Sequence, residues 1–496
     1  MPLCCTCRLE YPSVCFSRSQ LKNRKPGDRS CSLCCYGTVS PPKKTNSPPG
    51  LGHIIPRGAR CGAVTIGHNR AGVRGALTNR SIKKGTEVLA VPLEACISTD
   101  KVQQHAEVKS VLDKSPETLR GNSTIAFALF MLYERDSPEW SAYLQSIPMN
   151  TGFQVFSGAP PDCMAPTVGA TMAHAQKLAR SEEYRQLRSA GMRSFSFAEY
   201  VWAYTACVSR VFRFTENTQG LVPLSDLLNH SEVPNTHWWF DKDSAEFRMV
   251  TTRFVPKNCE LTDTYGSKCN SRFFNNYGFV LPDNNRDNQS SLCLNIGEDP
   301  RLTELLKLDR FYDDGFCGAA LVPLPQTVFR FQFACFPGAK DSSYGPTCAL
   351  FNFTRLVLLL LHGFSIKDTV RDAAFYVKIN RLPVTIHLEK FVCRYLQHAF
   401  ENHLRTLQGT LHRLQDVGPS HLLHDYTVLV EGEIKVLEGY IQAFKTIVPI
   451  LELACTSCSQ LLIIKAEHRT CTCLPKIKTK LEKAAPRYNQ MFWTTV

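Results

Sequence analysis

The spacing of apolar and polar residues changes character several times along the chain. Residues 75–92 give two β-rich runs joined by the turn Lys83-Lys84-Gly85. From residue 101 to about 215 the spacing becomes helical. Residues 124–135 are apolar on every face, which predicts a buried helix. Trp140, Tyr143, Leu144 and Ile147 then recur at helical intervals until Pro148 stops the segment. Ser196 followed by Glu199 is a capping box, predicting a helix over 197–210. Residues 218–281 return to strands and turns. Beyond about residue 300 the pattern is helical again, most clearly over 351–361, 388–407 and 426–451.

These shifts divide the 496 residues into segments, and at roughly 100–200 residues per domain three or four domains are expected. Residues 1–36 form a small cysteine-rich unit. Residues 37–60 contain five prolines among glycines and serines, can hold neither helix nor central strand, and read as a linker. Residues 61–297 are the β region, with a helical insert at about 101–200. Residues 298–465 form an all-helical domain, and residues 466–496 a basic tail. The composition is 44% hydrophobic and 20% charged, which excludes a disordered chain, a collagen or a coiled coil. No 18-residue window is uninterruptedly apolar, so no membrane partner is expected.

The net charge of +13 sits at the ends. Residues 1–60 carry ten Lys and Arg against two Asp and Glu, and residues 473–496 carry five against one. The body is therefore near neutral, and the basic ends read first as solvated tails. The opening residues lack the apolar core of a signal peptide, so the chain is expected in the cytoplasm or nucleus.

Of the 22 cysteines, seven fall in the first 35 residues. Cys4 and Cys7, then Cys31 and Cys34, form two knuckles of the spacing that closes a tetrahedral structural zinc site. Cys5, Cys15 and Cys35 are spare, and Cys5 or Cys35 could replace a ligand. So short a unit needs zinc to fold. The segment from Phe16 to Leu21 resembles small treble-clef-like modules. The module is expected to bind a protein or nucleic-acid partner. Cys455, Cys458, Cys471 and Cys473 make a weaker second set, the first pair being equally good as ordinary core residues.

The sharpest chemistry lies at 221–281. Asn229-His230-Ser231, with Pro234-Asn235 after it, is unusually polar for a segment entered through Leu221-Val222-Pro223-Leu224. Buried Asn and His need hydrogen-bond partners, from a polar ligand or a satisfied network. Tyr265-Gly266 with Lys268 and Asn270 follows, then Tyr277-Gly278-Phe279. Singly, each residue has an ordinary structural reading. In this order they resemble the SET-domain protein methyltransferases, in the branch typified by the Rubisco large-subunit lysine methyltransferase. Residues 128–135 and 140–148 are similar to that branch's inserted helices, Ser209-Arg210 with Phe212 to its Ser-Arg-x-Phe, and Glu431-Gly432-Glu433 to a segment of its helical substrate-binding domain.

The resemblance implies an α+β fold: small β-sheets around a threaded crossing of the chain, inserted helices, and an all-α C-terminal domain, here preceded by the zinc module. It implies S-adenosylmethionine held by Gly72, Val73, Arg74, Gly75, Arg210, Asn229, His230 and Phe279. It implies Tyr265 and Tyr277 as catalytic residues, with Phe214 and Asp226 on the substrate side. The implied activity is methylation of a lysine side-chain nitrogen in a protein substrate. The alternatives are histidine methylation, or a non-catalytic adaptor recruited through the zinc module. Three departures from the branch pattern stand out. Val73 occupies a turn where relatives have glycine, Asp263-Thr264 precedes Tyr265 where Ile-Ser is usual, and Trp238-Trp239 is a rare pair whose members must face opposite sides of a strand.

Overall fold

The computed structural model describes residues 58–69, 72–148, 162–282, 287–295, 328–334, 350–355, 357–358, 385–416, 422–455, 473–486 and 488–489. The chain separates into two compact units. The first takes residues 1–159, 177–267 and 276–278; the second takes 160–176, 268–275 and 279–496. Cys4, Cys7, Cys31 and Cys34 lie outside the described residues, as do Cys458 and Cys471. Among the described residues no cluster of His, Cys, Asp and Glu could hold a metal ion, and no helix is long and apolar enough to cross a membrane.

Among the described residues the first unit holds three small sheets. β1 (Arg60–Cys61), β4 (Glu87–Pro92), β10 (Glu246–Thr251) and β9 (Thr236–Asp241) form one, in that order. The second is β2 (Val64–His68), β3 (Arg74–Thr78), β11 (Glu260–Asp263) and β8 (Asn229–His230). The third is β5 (Ile97–Ser98), β7 (Gln219–Leu221) and β6 (Val211–Arg213). All neighbours are antiparallel except β8 and β11, which run parallel with Thr262 opposite Asn229 and Asp263 opposite His230.

The two runs at 75–92 are β3 and β4, but they do not pair with each other. Ile82 bridges to Val255 and Gly85, at φ +78°, donates its N–H to Thr251, so the turn carries the chain from one sheet into another.

Between β5 and β6 lies the helical insert. It comprises α1 (Thr99–Gln104), α2 (Ala106–Asp113), α3 (Glu117–Arg120), α4 (Ser123–Glu134), α5 (Ser141–Leu144), α6 (Val168–Ser189) and α7 (Phe197–Arg210). α4 buries Ile125 and every residue from Phe127 to Leu132, as expected of a helix apolar all round. It packs on α7, with Met131 against Cys207. The capping box of α7 is complete: Ser196 Oγ accepts from the Glu199 N–H, and the Glu199 carboxylate accepts from the Ser196 N–H.

One helix interrupts a stretch expected to be strands and turns: α8 (Asn270–Tyr277). Phe273, Phe274 and Tyr277 stand at helical spacing, and the Asn270 side chain both accepts from the Leu281 N–H and donates to its carbonyl, closing the chain beyond the helix.

In the second unit β12 (Gln289–Asn295) pairs antiparallel with β13 (Val328–Ala334). Two long helices, α9 (Ile386–Gln415) and α10 (Leu423–Leu451), pack along one another, and α11 (Cys473–Ala484) packs on α10. Phe333, Phe400, Tyr440 and Phe444 form the aromatic centre. A buried ion pair, Arg355 bidentate to Glu389 at 2.8 and 2.7 Å, adds a hydrogen bond from Tyr488 to the same carboxylate. Gly432 lets α10 approach the Asn288 side chain so closely that a Cβ would collide with it. The adjoining Glu433 carboxylate accepts from the Val168 N–H at 2.7 Å and the Ser290 hydroxyl at 3.1 Å, and burial pushes its pKa up to about 8.

Candidate active site

The segment before β8 enters through a strained backbone. Leu224 sits at φ +75°, a conformation that a branched residue adopts only when its surroundings enforce it. It leads into a short 3-10 turn, Ser225–Leu227, which turns the Asp226 side chain into the interior, 3% exposed. Asp226 Oδ2 accepts from the Tyr143 hydroxyl at 3.1 Å and lies 3.5 Å from Arg210 Nε. Burial raises its pKa; Arg210, the Tyr143 hydrogen bond and Arg74 oppose the rise. Arg74 is half-buried, and its pKa falls through burial and the neighbouring Arg210 charge, against the pull of Asp226. Two guanidiniums, one carboxylate and one phenol therefore share a small buried volume.

Asn229 opens β8. Its amide donates to the Arg74 carbonyl at 3.0 Å and to Glu260 Oε1 at 2.7 Å. This contact explains Gly75: a Cβ there would sit 2.8 Å from Asn229 Nδ2 and 2.6 Å from Glu260 Oε1. Glu260 also accepts from Asn69, which closes the turn at 69–73 by exchanging hydrogen bonds with the Val73 backbone. In that turn Gly72 holds the left-handed backbone, at φ +76°, and Val73 does not. The valine thus falls where its restricted backbone costs nothing.

The parallel pairing of β8 with β11 delivers Tyr265. Its N–H donates to His230 Nδ1 at 3.0 Å, which requires a lone pair on that nitrogen. Its hydroxyl donates to the Leu228 carbonyl at 2.7 Å, and its ring stacks on Tyr277 with centroids 4.8 Å apart. Burial raises the pKa of both phenols, so each is neutral at physiological pH. Asn235 works structurally: its amide carbonyl accepts from the Thr262 N–H and its NH2 donates to the Glu260 carbonyl, pinning β11 as a strand partner would.

A cavity of about 160 Å³ opens here, lined by Arg210, Asp226, Trp238, Asp263, Tyr265 and Tyr277 among others. Of the residues singled out in the sequence, Arg210, Asp226, Tyr265 and Tyr277 meet at this cavity; Arg74 and His230 adjoin those lining residues through the contacts above, and Asn229 and Gly75 are joined to them by way of Arg74. Asp226 groups with the arginines rather than with Phe214, whose ring stacks on Phe240 at 5.1 Å. Phe279 stacks on Phe273 within the second unit. The sequence reading missed Tyr143 and Glu260. Tyr143 was marked only as part of an apolar helical spacing, and Glu260 carried no motif at all.

The site fits a zwitterionic ligand. Asp226 Oδ1, Arg74 Nε and Ser225 Oγ are buried without a hydrogen-bond partner among the described residues. Such orphans are costly unless a bound group satisfies them. An amino-acid end, with its ammonium and carboxylate, offers both signs of charge.

Comparison with known proteins agrees with this geometry. Residues 73–266 match the family model described as the SET domain. Ribosomal lysine N-methyltransferase set10 of Schizosaccharomyces pombe is 25% identical over 223 residues, 42% of this chain and 40% of that one. SET domain-containing protein 4 of Homo sapiens is 24% identical over 239 residues, 42% and 52% of the two chains. N-lysine methyltransferase SETD6 of Bos taurus is 25% identical over 268 residues, 45% and 54%. The aligned region thus spans about half the length of these relatives. Among solved structures, the SET domain of LSMT bound to lysine and AdoHcy superposes with a TM-score of 0.60 at 20% identity, covering 79% of this chain and 88% of that one. Rubisco LSMT bound to AdoMet gives 0.57 at 19% identity, with the same coverage. The family match over residues 73–266 and the shared fold point the same way: this part of the chain is similar to a SET domain.

Proposed function

We propose that the protein is an S-adenosylmethionine-dependent methyltransferase acting on a lysine side-chain nitrogen of a protein substrate. The observation that carries this reading is the cavity that joins the Arg210–Asp226 cluster to the stacked Tyr265 and Tyr277. The relatives named as lysine methyltransferases and the LSMT complexes with lysine support the same reading.

S-adenosylmethionine would supply an electrophilic methyl carbon on a positively charged sulfur. Arg210 and Arg74 would face its carboxylate, Asp226 its ammonium, and Asn229 the same zwitterionic end, with the His230 main chain and Phe279 proposed for the adenine. With it bound, a substrate amine that has already given its proton to water would take up the methyl group, while the carbon–sulfur electron pair stays on sulfur. The chain's task is alignment in a dry channel. Tyr265 is fitted to it, because its proton is committed to the Leu228 carbonyl, so the oxygen's remaining lone pairs are what it can offer a polarised methyl group. Tyr277, stacked on it, fixes the ring plane.

The test is transfer of labelled methyl from S-adenosylmethionine to an undermethylated protein extract, with hydrolysis to identify the modified amino acid. Wild type is expected to yield N-methyl-lysine. Tyr265→Phe is expected to lower the rate by about 100-fold or more while binding cofactor within a few-fold. Label in N-methyl-histidine moves the substrate to histidine, and undiminished transfer by Tyr265→Phe removes that tyrosine from catalysis.

We further propose that Cys4, Cys7, Cys31 and Cys34 bind one structural zinc, making the N-terminal module a docking unit for a protein or nucleic-acid partner. The spacing of the two knuckles supports it. Native mass spectrometry of the full chain is expected to show one zinc, lost in Cys4→Ser/Cys7→Ser; an unchanged zinc-free mass in wild type counts against the module.

A further inference from the structure

Two of the sequence departures meet at one place. Asp263 ends β11 and Trp238 lies in β9, 25 positions earlier, yet both line the cavity that holds Tyr265 and Tyr277. Trp238 is the inward member of its pair. Its ring stacks on Phe247 at 5.1 Å and meets Phe212 edge-on at 5.3 Å, whereas Trp239 is 36% exposed on the other face. Asp263 is 5% exposed, and the groups facing its carboxylate are the Thr264 N–H, the Trp238 side chain as hydrogen-bond donor, and His237. No Lys or Arg is among them. Burial raises its pKa and these contacts oppose the rise, while Arg210 and Arg213 also line the cavity.

We propose that Asp263 and Trp238 form a cation-binding wall of the substrate channel, which selects the protonated side chain of lysine and guides its nitrogen toward Tyr265. A buried carboxylate beside an indole suits an ammonium group better than a neutral imidazole. An arriving ammonium brings Asp263 a counter-charge. The inference deepens the lysine reading above and rests on it for the identity of the channel.

The experiment uses the full chain with and without S-adenosylhomocysteine, titrated with free L-lysine and with L-norleucine. The two differ only in the side-chain ammonium. Wild type is expected to prefer lysine by about tenfold or more. Asp263→Asn keeps the shape and an acceptor for Trp238, and is expected to abolish that preference without changing S-adenosylhomocysteine affinity beyond twofold. Trp238→Phe is expected to weaken lysine a few-fold. Equal affinities for the two amino acids in wild type, no lysine binding, or a preference that survives Asp263→Asn each overturn the wall. Absence of S-adenosylhomocysteine binding counts instead against the methyl-transfer reading, since the lysine–norleucine contrast is also read without it.

Discussion

Asn229 has one amide and two neighbours that share it. Its NH2 is divided between the Arg74 carbonyl and Glu260, so the side chain is fixed before any ligand arrives. That is preorganisation of the kind a cofactor site needs. Removing the amide in Asn229→Ala deprives Glu260 of one of its two amide donors, Asn69 keeping the other, and leaves β8 with its backbone pairing to β11. The expected consequence is loss of cofactor affinity in a protein that still folds. Asp226 follows the same logic with opposite chemistry. Its carboxylate is held by Tyr143 and Arg210 on one oxygen while the other is buried and unpaired among the described residues, an acceptor waiting for a donor.

At the scale of elements, Glu433 is the most informative position. It places a carboxylate inside the second unit, where α10 meets the first N–H of α6 and a β12 hydroxyl. Its folded pKa, about 8, lies above the unfolded value near 4.5. The unfolded chain therefore releases its proton first as pH rises. Stability contributed by the protonated form is complete below about pH 4.5 and is lost progressively up to about pH 8. Thermal unfolding of wild type is expected to weaken across that window by on the order of a few kcal/mol more than in Glu433→Gln. Parallel pH profiles for the two proteins would show that the group is not titrating inside the fold. The Arg355–Glu389 pair differs: there the buried carboxylate meets a bidentate guanidinium partner.

The same scale shows what the sequence could disclose. α4 and α7 were readable because their signals are local: a run of apolar residues, and a serine three positions before a glutamate. The partition of β3 and β4 between two sheets was not, because it depends on Ile82 reaching Val255 across more than 170 residues. α8 was hidden by its own motif, since Tyr277-Gly278-Phe279 drew notice as a signature while the helical spacing leading into it went unread. The site divides likewise. Asn229, Tyr265 and Arg210 stand in recognisable strings. Tyr143 meets Asp226 over 83 positions and Glu260 meets Asn229 over 31, pairings that only the folded chain creates.

For the whole molecule, the chain is a near-neutral body between two basic ends, with catalytic chemistry proposed for the body. Each compact unit has its own buried core, and the cavity is built from residues of the first. On the proposed reading, this cavity and the Asn229 strand beside it hold S-adenosylmethionine. Calorimetric titration of the full-length protein with S-adenosylmethionine tests it most directly, beside Asn229→Ala checked for an unchanged unfolding temperature. One site per chain is expected in wild type, with affinity at least about tenfold weaker in the variant. Heat-silent, non-binding wild type that is demonstrably folded, or a variant that binds as tightly as wild type, would contradict it.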